Sequence, residues 1–108
     1  MTPSRREKIE ALLREDPDDV FLRYSLALEL ESAGDWETGL AILEELGRAS
    51  PPYVPALQMA AQHLVKRGRI ADARRALREG IDAARAEGNP HAAGEMAELL
   101  MSLGPAGE

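Results

Sequence analysis

Residues 20–53 read VFLRYSLALELESAGDWETGLAILEELGRASPPY, and residues 54–87 read VPALQMAAQHLVKRGRIADARRALREGIDAARAE. Laid one over the other they agree at a spacing of 34 residues: Ala27 falls on Ala61, Leu30 on Leu64, Gly34 on Gly68, Gly39 on Ala73 and Leu43 on Leu77. A period of this length marks a supersecondary unit that cannot bury its own apolar face and so stacks on copies of itself. The pattern continues outward in both directions. Met96-Ala97, Leu100 and Gly104 repeat Ala60-Ala61, Leu64 and Gly68 at an offset of 36, and the two extra residues fall in the Glu87-to-Pro90 turn, where insertion is cheap. Upstream, Ile9 stands 34 residues before Leu43, and Pro17 stands 34 before Pro51. The chain therefore reads as one domain over 1–104, built from a half repeat (4–17), two whole repeats (18–51 and 52–87) and a capping helix (90–103), with 105–108 as a frayed tail.

Punctuation within the repeats predicts about six helices. Ser4 followed by Glu7 has the capping-box form, and Ile9, Leu12 and Leu13 follow at helical spacing, so a first helix is expected from Ser4 to Glu15, stopped by Pro17. Asp18 or Asp19 caps a second helix that continues to Ala33, where Gly34-Asp35 ends it and opens a third from Trp36 to Ala49. Ser50-Pro51-Pro52 breaks the chain before a fourth helix ending at Arg67. Gly68 precedes a fifth from Ile70 to Ala86, and Gly88-Asn89-Pro90 precedes a sixth ending at Leu103. No alternating apolar run competes, and Ala, Leu, Glu and Arg dominate, so the fold class is all-α.

Each repeated feature has a physical task. An alanine at the matched place, as in Leu26-Ala27, Ala60-Ala61 and Met96-Ala97, marks a close crossing of two antiparallel helices that a longer side chain would force apart. Glycines at 34, 68 and 104 allow the left-handed conformation that ends a helix before a tight reversal. Leu43 and Leu77 are suited to fill the space between one hairpin and the next. These residues resemble the tetratricopeptide repeat family across about residues 4–104: Leu26-Ala27, Leu30, Gly34-Asp35-Trp36 and Gly39 in the first repeat, and Ala61, Leu64, Gly68, Ile70, Ala73 and Leu77 in the second. The resemblance implies a right-handed α-α superhelix of antiparallel helix hairpins, with the first helix of each unit lining a concave face. It also has departures. Arg23 stands where the family usually has a bulky apolar residue, Gly39 replaces an alanine, and Leu46 and Gly80 share a small-residue site. For Arg23 the expectation is a packed stem and a paired head.

Composition excludes several kinds of work. The 108 residues contain no cysteine, which removes disulfides and thiolate chemistry, and the start MTPSRREKIEALLRE runs straight into charged residues, so a cytoplasmic protein without a membrane span is expected. Thirteen basic against nineteen acidic side chains give a net charge of −6, a poor match to a nucleic-acid partner. The first fifty residues carry that whole imbalance, and the one basic patch lies between Lys66 and Arg85, read as a solvated face with Arg75 paired to Glu79 and Arg78 to Asp82. His63 and His91 lack metal-ligand spacing, and His63 reads as a partly packed surface residue. No glycine-rich phosphate cradle is present, and acidic pairs such as Glu44-Glu45 and Asp18-Asp19 fall at turns or on polar faces. No catalytic, metal or cofactor residue is assigned, and no cofactor is expected.

The candidate site is the groove. On the second helix Leu26, Ala27, Leu30 and Ala33 form the expected packed face. Phe21, Tyr24 and Leu28 form a further apolar stripe roughly 140° away at about 100° per residue, with Glu31 continuing it. Pro55, Gln58 and Gln62 occupy matching positions on the fourth helix, and His91, Gly94 and Glu98 on the sixth. The ligand-free alternative is that the chain's own first helix or a neighbouring loop covers Phe21 and Leu28. An open stripe instead implies a protein or peptide partner gripped through Phe21, Tyr24, Leu28, Glu31, Gln58 and Gln62, or pairing of two copies through the same stripe or the helical ends. The lysine and asparagine clamp with which some members of the family hold acidic peptide ends has no counterpart at these positions.

Overall fold

The computed structural model describes residues 2–104, and residues 105–108, read above as a frayed tail, lie outside them. Six helices follow one another: α1 (Arg5–Glu15), α2 (Val20–Ser32), α3 (Trp36–Gly47), α4 (Val54–Lys66), α5 (Ile70–Ala86) and α6 (Pro90–Ser102), with no strand among the described residues. Their ends lie where local chemistry puts them. The Glu7 N–H donates to Ser4 Oγ at 3.1 Å and the Ser4 N–H donates to Glu7 Oε1 at 3.0 Å, a complete capping box for α1. Asp19 Oδ1 accepts from the Leu22 N–H at 2.8 Å to start α2, and Asn89 Oδ1 accepts from the Ala92 N–H at 3.1 Å to start α6. The third helix stops at Gly47, two residues before the predicted Ala49.

Gly34 and Gly68 make the reversals that turn paired helices into hairpins. Both have positive φ, at 93° and 76°. Beyond α2 the Asp35 N–H donates to the Leu30 carbonyl at 2.9 Å and the Gly34 N–H to the Glu31 carbonyl at 3.1 Å. The Arg69 and Gly68 N–H groups do the same for Leu64 and Val65 at 2.9 and 3.0 Å. These are Schellman caps, which satisfy carbonyls that the helix end leaves open and need a left-handed residue to form.

Each helix packs mainly against the one before it and the one after it. The result is elongated, 49 × 29 × 19 Å, as expected of a stack without a central core. Two apolar clusters follow each other along the stack. Ala27, Leu40, Leu43, Leu46, Ala56, Ala60 and Leu64 belong to the first, and Ala61, Leu77, Ile81, Ala84, Ala93 and Met96 to the second. Leu43 and Leu77 are fully buried. Ala27 and Ala61 are fully buried too, the small side chains on which the helix crossings rest. At the third copy of the motif the burial moves by one residue, to Met96, and Ala97 is only half-buried. Of the face predicted to pack on α2, Ala27 and Leu30 are buried and Leu26 is half-buried. Ala33 is exposed, because it is the cap residue where the helix has already ended.

Candidate partner-binding surface

The six candidate residues lie on α2 and α4, and the structure treats them unequally. Phe21, in the first turn of α2, is 65% exposed, so nothing among the described residues covers it. Leu28 is half-buried, as is Gln58, and Gln62 is exposed. Tyr24 is half-buried because its ring stands edge-on to that of Tyr53, with centroids 5.6 Å apart and planes at 71°. Burial raises the Tyr24 phenol above its ordinary value, with the neighbouring Tyr53 adding to the effect, so the Tyr24 phenol stays a neutral donor at neutral pH. The edge contact joins α2 to the residue that opens α4.

Glu31 differs from the other five in being held by ion pairs within the chain. Its side chain is 13% exposed, and its Oε1 accepts from Lys66 Nζ at 3.0 Å and from an Arg67 guanidinium nitrogen at 3.1 Å. The Lys66 hydrogen bond is the main cause holding the carboxyl below its ordinary value, and Arg67 and His63 act in the same direction. Arg67 also lies over the ring of Trp36, 4.8 Å from its centroid, so one network ties α2, the start of α3 and the end of α4 together. Sequence reading placed Glu31 at a partner contact. The sequence signal for the ion network is spacing: Lys66 and Arg67 follow Glu31 by 35 and 36 residues, one repeat plus a step.

Other side chains settle beside this surface. His63 is buried at 8% exposure, which corrects the reading of it as a surface histidine, and its Nδ1 has no hydrogen-bond partner among the described residues. Burial lowers its pKa below the ordinary imidazole value, with Lys66 and Arg67 contributing and Glu31 opposing. Arg23 donates to Glu45 Oε2 at 2.9 Å, the paired head expected for it. In the basic stretch Arg75 reaches back to Asp72 at 3.2 Å, where pairing with Glu79 was expected. Asp72 lies one turn nearer the start of α5 and already holds Arg69, so it collects both cations. His91 is exposed beside Glu95. Among the described residues no group of three or more His, Cys, Asp or Glu is placed to hold a metal ion, and no helix is long and apolar enough to cross a membrane.

A stack of short antiparallel helix pairs closed by left-handed glycines, with small residues at the crossings, is a helical-repeat protein. The tetratricopeptide repeat family matches residues 30–87, more than half of the chain, and the protein belongs to that family. Among solved structures, a tetratricopeptide repeat domain protein from Salinibacter ruber superposes with a TM-score of 0.77 at 29% identity, over 83% of this chain and 91% of that one. A protein from Bordetella parapertussis superposes with a TM-score of 0.78 at 25% identity, over 94% of this chain and 89% of its own. No curated protein matches the sequence.

Proposed function

We propose that the protein is a non-catalytic interaction module, with residues 1–104 working as one stacked domain that docks an apolar or amphipathic peptide segment on the α2 and α4 surface. The observation that carries this reading is Phe21, a large aromatic ring at 65% exposure in the first turn of a packed helix. Leaving such a ring in water forgoes about 1.5–3 kcal/mol of burial, which a partner's apolar side chain recovers on binding. Half-buried Leu28 extends the apolar contact on the same helix. The amides of Gln58 and Gln62, one turn apart on α4, offer donors and acceptors to a peptide backbone. Family membership supports the same class of work. Glu31 anchors the frame of the site in this reading, and its network with Lys66 and Arg67 fixes α2 against α4.

The test uses peptides selected from a random display library on the parent protein. Selected peptides should carry an aromatic or aliphatic anchor and shift the amide resonances of Phe21, Leu28, Gln58 and Gln62. Phe21→Glu with Leu28→Gln should leave the melting temperature within a few degrees, as a surface change of about half a kcal/mol does, and lose the binding. A large fall in melting temperature with unchanged binding would show the stripe to be structural. Sedimentation across a concentration series reads the competing outcome, pairing of two copies through Phe21, as a dimer that the double variant abolishes.

A further inference from the structure

On the other side of α4 a furrow runs between α3 and α5. At about 100° per residue, Leu57, Ala60 and Leu64 point roughly 150° away from Gln58 and Gln62, so the furrow's floor and the candidate groove are on opposite faces of the same helix. Two adjoining clefts make it up. One, of about 330 Å³, lies over Leu57, Ala60 and Leu64 near the start of α5. The other, of about 690 Å³, is walled by Gly47 and Pro52 on one side and by Ala83 and Ala86 on the other. Arg48, Leu57 and Glu79 line both, which makes the furrow continuous.

Its shape follows from small residues facing each other. A Cβ at Gly47 would come within 2.7 Å of Leu57 Cδ2, so α4 is drawn up under the end of α3 and Leu57 becomes the floor. Ala83 and Ala86 on α5 are too short to fill the space opposite. Charge then differs between the two ends. Near the start of α5, Asp72 is held by Arg69 at 2.8 Å and by Arg75 at 3.2 Å. At the apolar end, Glu79 and Asp82 are one turn apart on the same face of α5, and no hydrogen bond or ion pair from the described residues engages them. Among the described residues Arg48 is the sole basic one lining that cleft, so they give its rim one positive charge against two negative.

We infer that the apolar end of this furrow is a second docking site, taking a bulky apolar side chain from a partner segment that carries a lysine or arginine next to it. The apolar side chain enters between Gly47 and Ala83 over Leu57, and the cation meets Glu79 and Asp82. A segment with an acidic residue there meets repulsion from the same two carboxylates. The inference is independent of the groove on α2, because it uses other helices and the opposite face of α4.

The experiment compares two blocked dipeptides, acetyl-tryptophanyl-lysine amide and acetyl-tryptophanyl-glutamate amide, in titrations followed by backbone amide resonances. The lysine probe should shift Gly47, Ala83 and Ala86 saturably and bind about three- to tenfold more tightly than the glutamate probe, the preference expected of two exposed charge contacts. Glu79→Gln with Asp82→Asn should equalise the probes. Ala86→Trp, at an exposed position, should fill the cleft and abolish both shifts while helicity stays unchanged. Equal binding of the two probes by the parent protein, shifts confined to the Phe21 side, or no shift at all would overturn the inference. So would concentration-dependent shifts of the same amides without probe, which would give the furrow to a second copy. Success or failure of the Phe21 variant in the peptide experiment leaves each of these readouts unchanged.

Discussion

Where the hairpin of α4 and α5 buries Leu57, the hairpin of α2 and α3 carries Arg23, 34 residues earlier at the same register position. The two residues do the same job by different chemistry. Leu57 lies under Gly47 and beside Gly80, at whose Cβ position Leu57 Cβ would be 3.3 Å away, and so joins α3 to α5 by apolar contact. Arg23 joins α2 to α3 through Glu45, whose counterpart in the second hairpin is Glu79 on the furrow. The register also sets Leu13 against Arg23 where it sets Gly47 against Leu57, so the first hairpin lacks the glycine that made room for a leucine. A second pair of matched positions shows the same thing. Glu31 enters an ion network, and its counterpart Val65 packs against the first apolar cluster. The repeat fixes which backbones cross and at which residues. It leaves the means of holding them open, and the acidic first half uses charge where the second uses hydrocarbon.

Since a buried alanine stands at the crossing in both hairpins, enlarging it should damage them alike. Ala27→Phe and Ala61→Phe should each cost about 3 kcal/mol or more, since both side chains are fully buried at a crossing that can admit a ring only by separating the helices. Urea unfolding of the two variants checks this, and a tolerant Ala61→Phe would break the alignment of the repeats.

Gly39 and Ala73 sharpen the comparison, because they share a register position with opposite requirements. A Cβ at Gly39 would lie 2.7 Å from the Ala27 carbonyl oxygen, a backbone atom that cannot step aside, whereas Ala73 carries its methyl fully buried. Gly39→Ala should therefore destabilise by about 1–2 kcal/mol despite alanine's better helix propensity of about 1 kcal/mol. Ala73→Gly should lose a similar amount by losing both propensity and packing. A more stable Gly39→Ala protein would mean that the two hairpins cross at the same distance.

Most of this architecture is legible in the sequence, because a 34-residue period carries helix ends, glycine reversals and small crossing residues at once. The predicted ends of α1, α2 and α5 agree with the structure to within a residue. The site was less legible. Exposed Phe21 and half-buried Leu28 follow from helical spacing, but the engagement of Glu31 depends on which helix of the next repeat lies beside it, and that is a property of stacking. Burial of His63 escaped for the same reason. Its register partner in the first hairpin, Glu29, faces α1 and pairs with Arg5, and a histidine at that place turns inward with no arginine to meet it. The furrow between α3 and α5 needed the relative placement of two helices that are not neighbours in sequence.

Acid should separate the hairpins next, through groups at their junction. His63 on α4 faces Glu31 on α2, Lys66 on its own helix and Arg67 at that helix's cap, and its pKa is lowered from 6.5 chiefly by burial. The unfolded chain then takes up a proton on His63 before the folded chain does, so stability is lost as pH falls below about 6.5 toward the folded value. Glu31, lowered from 4.5, adds a second loss as pH falls below that range, when protonation releases Lys66 and Arg67. Urea midpoints measured from pH 7.5 to pH 5.0 should decline, and His63→Leu should flatten the decline above pH 5.5. A parent protein indifferent to pH across that range would mean that His63 is solvated in the folded state.

The smallest expected effect comes from giving the first hairpin the second hairpin's residue. In Arg23→Leu the ion pair to be lost is 29% exposed on the arginine side and 62% on the glutamate side, so its contribution lies in the range of about 0–1 kcal/mol. Glu45 left alone stays in water and bears little penalty. The incoming leucine gains burial but meets Leu13 by register instead of a glycine, so the gain is partly returned as crowding. A net change within about 0.5 kcal/mol of the parent is expected, and the pairing energy between Arg23 and Glu45, read from a double-mutant cycle with Glu45→Gln, should shrink in high salt. If Arg23→Leu instead cost more than about 2 kcal/mol, the guanidinium would be acting as a buried, fully compensated charge, and the two hairpins would differ in their cores and not only in the residue that ties them.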